Sequence, residues 1–244
     1  MNLYSREFSI SSFDLNPRGQ ARLTSMANFF QELAYHHASQ LGFGYRDMKE
    51  RNTTWVLSRM RIRIDSYPLW DDTIRMETWP SGVDKLFALR DFRIWNSQGE
   101  QIGVASTAWL ILDIKTHRLI RPKEALEHFK LIVHPEQVFE ESLEKIDVPE
   151  ALKPLNLHRV KFSDLDIVGH VNNVKYMEWC IDALNSREKS DREIREFEIN
   201  FSKEALFGDE IEIAGLEVSE KDTRFLALRK ADNKEIIRAR MLRE

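Results

Sequence analysis

Residues Asp164 to Leu184 read DLDIVGHVNNVKYMEWCIDAL, and 150 positions earlier Asp14 to Ala34 read DLNPRGQARLTSMANFFQELA. Asp14 and Leu15 fall on Asp164 and Leu165, Gly19 falls on Gly169, and Phe29 falls on Trp179. Both copies then take helical spacing. Met26, Phe29, Phe30 and Leu33 lie at i, i+3, i+4 and i+7, and so do Met177, Cys180, Ile181 and Leu184. That spacing gathers apolar side chains into one stripe on each helix. Helices are therefore predicted near 24–41 and 172–186.

The segments after the two helices also match. RMRIRID, from Arg59 to Asp65, alternates as a half-buried strand does. YPLWDDTIRMETW matches EALFGDEIEIAGL, with Trp70 over Phe207, Asp72 over Asp209 and Ile74 over Ile211. A hairpin comes next in each half, turning at Asn96–Gly99 and at Asp232–Lys234. Each half thus runs lead strand, turn, one long helix, then several antiparallel strands. One helix over a strongly curved antiparallel sheet is the hotdog arrangement, and two copies make a tandem double hotdog, α+β in class. We divide the chain into an N-terminal hotdog at 1–120, a partly helical connector at 121–155 and a C-terminal hotdog at 156–244.

The remaining composition bounds the function. Of 244 residues, 42% are hydrophobic and 31% charged, the mix of an ordinary globular chain. A net charge of −4 gives no reason to expect nucleic-acid binding. Cys180 is the single cysteine, so no intrachain disulfide can form, and a reducing compartment fits. The start MNLYSREFSI lacks the basic and apolar regions of a signal peptide, and no apolar run is long enough for a membrane helix. A cytoplasmic protein is expected.

In the second copy, Asp164, Asp166 and His170 crowd the turn before the helix. An imidazole can activate water near neutral pH, and a carboxylate can hold its orientation. The helix start offers unpaired N–H groups, around His170 and Val171, for a developing oxyanion. Gly169 permits close approach of backbone or substrate. Those are the parts that acyl transfer to water needs. Each residue also has an ordinary structural reading: the aspartates as caps, and Asn172 and Asn173 as cap and turn residues. The first copy separates the two readings. It keeps Asp14, Leu15 and Gly19 but has Asn16 for Asp166 and Gln20 for His170. One active and one inactive half is the expectation.

At these residues the chain resembles the acyl-acyl carrier protein thioesterases of plants and bacteria. SDLDIVGHVNNVKYMEW is similar to that family's second-domain motif, and WVLSRMRIRIDSYPLWDDTIRMETWP and ALRDFRIWNSQGEQIGVASTAWLILDIKTHRLIRP to its first half. The resemblance implies hydrolysis of fatty acyl thioesters on acyl carrier protein, with catalysis in the second hotdog and most of the acyl pocket in the first. It places the family's aspartate on Asp166, its histidine on His170 and its glutamate on Glu204; Gly169, Asn172 and Asn173 are supporting candidates from the chemistry of the turn itself. Where plant members often carry a cysteine, this chain has Ala205, and where the family has an asparagine it has Val168. The resemblance then leaves a water-activating route without a cysteine nucleophile, in which removing Asp166, His170 or Glu204 lowers turnover.

Cys180, on the apolar stripe, is expected in the core. The alternatives are an acyl-CoA thioesterase, or a non-catalytic acyl-binding hotdog that needs neither His170 nor Glu204. No cofactor is implied. Glu32, His36 and His37 fit a solvated helix face better than a metal site. Arg59, Arg61 and Arg63 line one strand face, read as solvated or as a basic surface for the acidic carrier protein. Because the two halves can pair within one chain, a monomer fits as well as a homodimer.

Overall fold

The computed structural model describes residues 3–122, 134, 136–185 and 193–244. The chain forms two compact units, Met1–Leu143 and Glu144–Glu244. The first contains β1 (Tyr4–Ser9), α1 (Leu23–Gln40), α2 (Tyr45–Glu50), β2 (Thr53–Ile64), β3 (Thr73–Asp84), β4 (Phe87–Trp95), β5 (Gln101–Asp113) and the short β6 (Leu119–Ile120). The second contains β7 (Lys153–Arg159), α3 (Asn173–Asn185), β8 (Ile194–Phe201), β9 (Glu210–Glu217), β10 (Asp222–Arg229) and β11 (Lys234–Arg243).

Each unit is a hotdog, and the two share one topology. Within the first, the strands run β1-β3-β4-β5-β2, with β6 on β5. Within the second they run β7-β9-β10-β11-β8. Every neighbouring pair in both orders is antiparallel. Helix α1 packs on β1 and β3, and α3 on the equivalent β7 and β9.

Alternation in the sequence drives this. In β2, Met60, Ile62 and Ile64 are buried between outward arginines, and in β9, Ile211, Ile213 and Gly215 are buried between outward residues. The helix stripes close the cores. Met26, Phe30 and Leu33 are buried in the first unit, with the Phe30 ring 4.9 Å from Phe92, and Met177, Cys180 and Leu184 are buried in the second. Phe29 and Ile181, at the stripe edges, stay half-buried.

Two expectations need correction. The arginine face of β2 is largely covered and is not an open basic surface, although Arg63 keeps about 41% of its side chain exposed, 3.3 Å from Asp65. Arg61 and Arg63 stack over Phe139, Arg59 stacks over Phe87 and donates to the Leu143 carbonyl, and Arg61 pairs with Glu141 at 3.1 Å. Guanidinium planes favour aromatic faces, and the segment after residue 136 supplies one. Nor do His36 and His37 share a solvated face. His36 meets Glu32 at 2.7 Å in the open, whereas His37 is buried, its Nδ1 2.9 Å from Arg90 Nη1.

Of the connector expected at 121–155 to be partly helical, residues 123–133 and 135 lie outside the described residues. Residues 136–152 hold no helix or strand. Val138 N–H donates to Asp91 in the first unit, and Ile146 N–H to Asn200 in the second.

Candidate active site

The turn before each helix is built by the same hydrogen bonds. In the second unit a 3-10 turn, Phe162–Asp164, leads into Leu165, which bridges to Val171. The Asp166 N–H donates to the His170 carbonyl at 2.8 Å, and Gly169 N–H to the Asp166 carbonyl at 3.1 Å. Asp166 Oδ1 accepts the N–H groups of Val168 at 2.8 Å and His170 at 3.3 Å. In the first unit Asn16 does the same work: its N–H donates to Gln20, and its Oδ1 accepts Arg18 N–H at 2.9 Å and Gln20 N–H at 3.2 Å. Gly19 and Gly169 take φ of 76° and 88°, which the turn demands and which glycine adopts without strain. A Cβ at Gly169 would meet nothing within 4 Å. Within the protein, then, it is the turn's conformation and not a neighbouring group that calls for glycine at this position.

A second loop arrives beside the turn. Val171 N–H donates to the Ala205 carbonyl at 3.1 Å, as Ala21 N–H donates to Pro68 at 2.8 Å in the first unit. Asp209 and Asp72 close their loops in the same way, accepting the N–H of Leu206 and Leu69. Register thus places Glu204 where the first unit has Tyr67, and it brings Glu204 Oε2 to 3.4 Å from His170 Nε2. That separation is longer than an ordinary N–H···O bond. It leaves an imidazole and a carboxylate converging at a partly open surface.

The Asp166 carboxylate acts on His170 through the backbone. Its partners are peptide N–H groups, so the ring-orienting contact expected from sequence is absent among the described residues. The expected oxyanion donors also differ. His170 N–H is taken by Asp166 and Val171 N–H by Ala205. Asn172 caps α3, its Oδ1 accepting Val174 N–H at 2.9 Å. The N–H and carboxamide of Asn173, the first helical residue, make no hydrogen bond among the described residues and remain free to donate.

Two features were not read from sequence. Tyr176 is buried, and its Oη accepts Ala205 N–H at 3.1 Å. Burial, then the carboxylates of Glu204, Asp209 and Asp166, push its phenol well above the ordinary value, which keeps it protonated. His158 stacks on Trp179 at 4.2 Å and meets Asp164 at 2.9 Å, where the first unit stacks Phe8 on Phe29. Asp164 is buried and also accepts Lys161 N–H. The signal for both was a polar residue where the other copy has an apolar one, Tyr176 for Met26 and His158 for Phe8. Cys180 lies in the core as expected, and burial pushes its thiol up, away from thiolate character. The described residues hold no cluster able to bind a metal ion, and no helix among them is long and apolar enough to cross a membrane.

This architecture and site have clear relatives. Residues 1–129 match the acyl-ACP thioesterase N-terminal domain and 150–241 the acyl-ACP thioesterase C-terminal domain. The chain belongs to the acyl-ACP thioesterase family. Over its whole length it superposes on an acyl-ACP thioesterase from Bacteroides thetaiotaomicron with a TM-score of 0.90 and 28% identity, covering 98% of that chain. A 12:0-ACP thioesterase from Umbellularia californica shares the fold at a TM-score of 0.84 and 22% identity, covering 100% of this chain and 98% of that one. The palmitoyl-acyl carrier protein thioesterase of Gossypium hirsutum, a chloroplastic protein, is 33% identical over 193 residues, which is 74% of this chain and 47% of that protein. The chain spans about half the length of the curated relatives it matches.

Proposed function

We propose that the chain hydrolyses fatty acyl thioesters carried on acyl carrier protein, releasing free fatty acid, and that the second unit holds the catalytic site. The observation that carries this is the approach of His170 Nε2 to Glu204 Oε2 at 3.4 Å, on a turn and loop whose first-unit counterparts hold Gln20 and Tyr67. Matching turn and loop bonds, with an imidazole and a carboxylate in one copy alone, favour chemistry over architecture.

In this mechanism a water beside the pair loses its proton to His170 or Glu204 and attacks the thioester carbonyl. Asn173, at the positive end of α3, donates to the developing oxyanion. The carbon–sulfur bond breaks, and the phosphopantetheine thiolate leaves with little acid assistance. Asp166 fixes the turn that carries His170. No cysteine takes part, since Ala205 stands at the family's cysteine position and Cys180 is in the core.

The first hotdog, 1–120, supplies most of the acyl pocket, and 121–155 connects it to the catalytic hotdog at 156–244. A cytoplasmic setting accords with the single cysteine, and a monomer or homodimer with two hotdogs in one chain. Thiol release from matched acyl-carrier-protein and acyl-CoA substrates tests the reading. Faster turnover of the carrier-protein substrate supports it. Preference for CoA makes the chain an acyl-CoA thioesterase, and no release from either makes it an acyl-binding protein.

A further inference from the structure

The loop carrying Glu204 is held from both sides of one residue. Ala205 is fully buried; its carbonyl accepts Val171 N–H at 3.1 Å, and its own N–H donates to Tyr176 Oη at 3.1 Å. The Tyr176 ring is itself fixed, edge-on to Trp179 at 5.0 Å and to Phe201 at 6.0 Å. Glu204, by contrast, is exposed, and His170 is its one side-chain partner among the described residues. Nothing at the end of the Glu204 side chain anchors it firmly, so its placement depends on the backbone beside it.

The first unit solves the same loop differently. The Val171–Ala205 bond recurs as Ala21–Pro68, but Pro68 has no N–H to satisfy, and Met26 stands at the place of Tyr176. Proline with methionine in one unit has become alanine with tyrosine in the other. An alanine N–H buried without an acceptor is costly, so the tyrosine hydroxyl is required once proline is gone.

We propose that Tyr176 is a positioning residue, holding Glu204 toward His170 through the Ala205 N–H. This rests on the assignment of His170 and Glu204 to the catalytic site, and the test separates the two. Glu204→Gln is measured first. If it turns over acyl-acyl carrier protein like the wild type, the site assignment fails, and this proposal falls with it.

If Glu204→Gln is slow, Tyr176→Phe decides the positioning role. It is expected to lower kcat about tenfold or more with KM little changed, as misplacement of a reacting group does. In ¹⁵N-histidine-labelled protein, it is also expected to move the His170 ring signals in the direction that Glu204→Gln moves them. The Tyr176→Phe/Ala205→Pro double variant adopts the first unit's solution, leaves no N–H unpaired, and is expected to recover most of the lost kcat. It carries the test even if the single variant fails to fold. Unchanged kcat in Tyr176→Phe, a loss of kcat with unmoved His170 signals, or a folded double variant with no recovery would each overturn the proposal.

Discussion

Asn16 and Asp166 do the same local work with different chemistry. Each accepts two backbone N–H groups through one oxygen, at nearly equal distances, and each closes a turn at a left-handed glycine. A carboxamide suffices for that. The charge on Asp166, the imidazole of His170 and the carboxylate of Glu204 are therefore surplus to folding. The first unit folds with Asn16, Gln20 and Tyr67 in their places. The comparison teaches where to look for function in a duplicated fold: at positions where scaffold bonds agree and side-chain chemistry does not.

The largest expected effect breaks this symmetry from the second side. His170→Ala and Glu204→Gln should each lower kcat by about 10²–10⁴-fold, the usual contribution of a general base. Melting temperature should change little, because both side chains are partly exposed and the turn's hydrogen bonds are backbone ones. Gln20→Ala, at the matching place in the first unit, should leave the chemical step intact. Single-turnover rates of acyl-acyl carrier protein hydrolysis check all three. Equal losses from Gln20→Ala and His170→Ala would mean that the two turns are not chemically distinct.

A smaller effect is expected at Asp166. Asp166→Asn reproduces the first unit's residue and keeps an acceptor for Val168 and His170 N–H. What it loses is the extra strength of a charge-assisted bond, about 1 kcal/mol, so kcat should fall about fivefold rather than a thousandfold. Asp166→Ala removes the acceptor as well and should lose more activity and some stability. If Asp166→Asn is as inactive as His170→Ala, the carboxylate contacts the reacting groups directly, and the turn-building account is incomplete.

Much of this was legible in the sequence because it was written twice. The repeat gave both ends of α1 and the start of α3 to within one residue, the hairpins and the topology class, since alternation and helical spacing are local properties. The His170–Glu204 meeting was reached through family resemblance, because 34 residues separate them and only the register of the loop against the turn brings them together. The oxyanion donors were misjudged for a related reason. Which N–H groups remain free depends on where Ala205 lands, and a carbonyl arriving from a distant loop leaves no local pattern. The arginine face of β2 failed likewise: its cover, Phe139 and Glu141, comes from about 80 residues downstream.

The next effect distinguishes the units through their interiors. Beneath α1, the first unit buries His37 against Arg90, which also reaches Thr78. Burial, reinforced by the Arg90 charge, lowers the His37 pKa to about 3, whereas an unfolded chain's histidine titrates near ~6.5. Between those values the unfolded state binds a proton that the folded state refuses. Stability must therefore fall as pH drops through that window, with a slope of up to about 1.4 kcal/mol per pH unit. His37→Gln keeps an acceptor for Arg90 but cannot titrate, and urea denaturation from pH 7 to pH 4 should show a shallower decline. An unchanged slope would place the acid sensitivity elsewhere.

The smallest expected effect concerns Cys180, whose place in the first unit is taken by Phe30. Both are buried on the helix stripe, and neither copy uses the position for chemistry on the water-activating route. Burial disfavours the thiolate, so the group that a covalent mechanism would need is the one this environment suppresses. Cys180→Ser should hold kcat within about twofold of wild type while losing about 1–3 kcal/mol of stability to a buried hydroxyl. Cys180→Ala removes that polarity and leaves only a small cavity, so it should recover part of the stability at the same rate. Two folded variants with normal turnover exclude an acyl-cysteine intermediate at this position. If both stay folded and both lose turnover, the apolar stripe of α3 takes part in catalysis, and the division between a chemical turn and a structural helix would have to be redrawn.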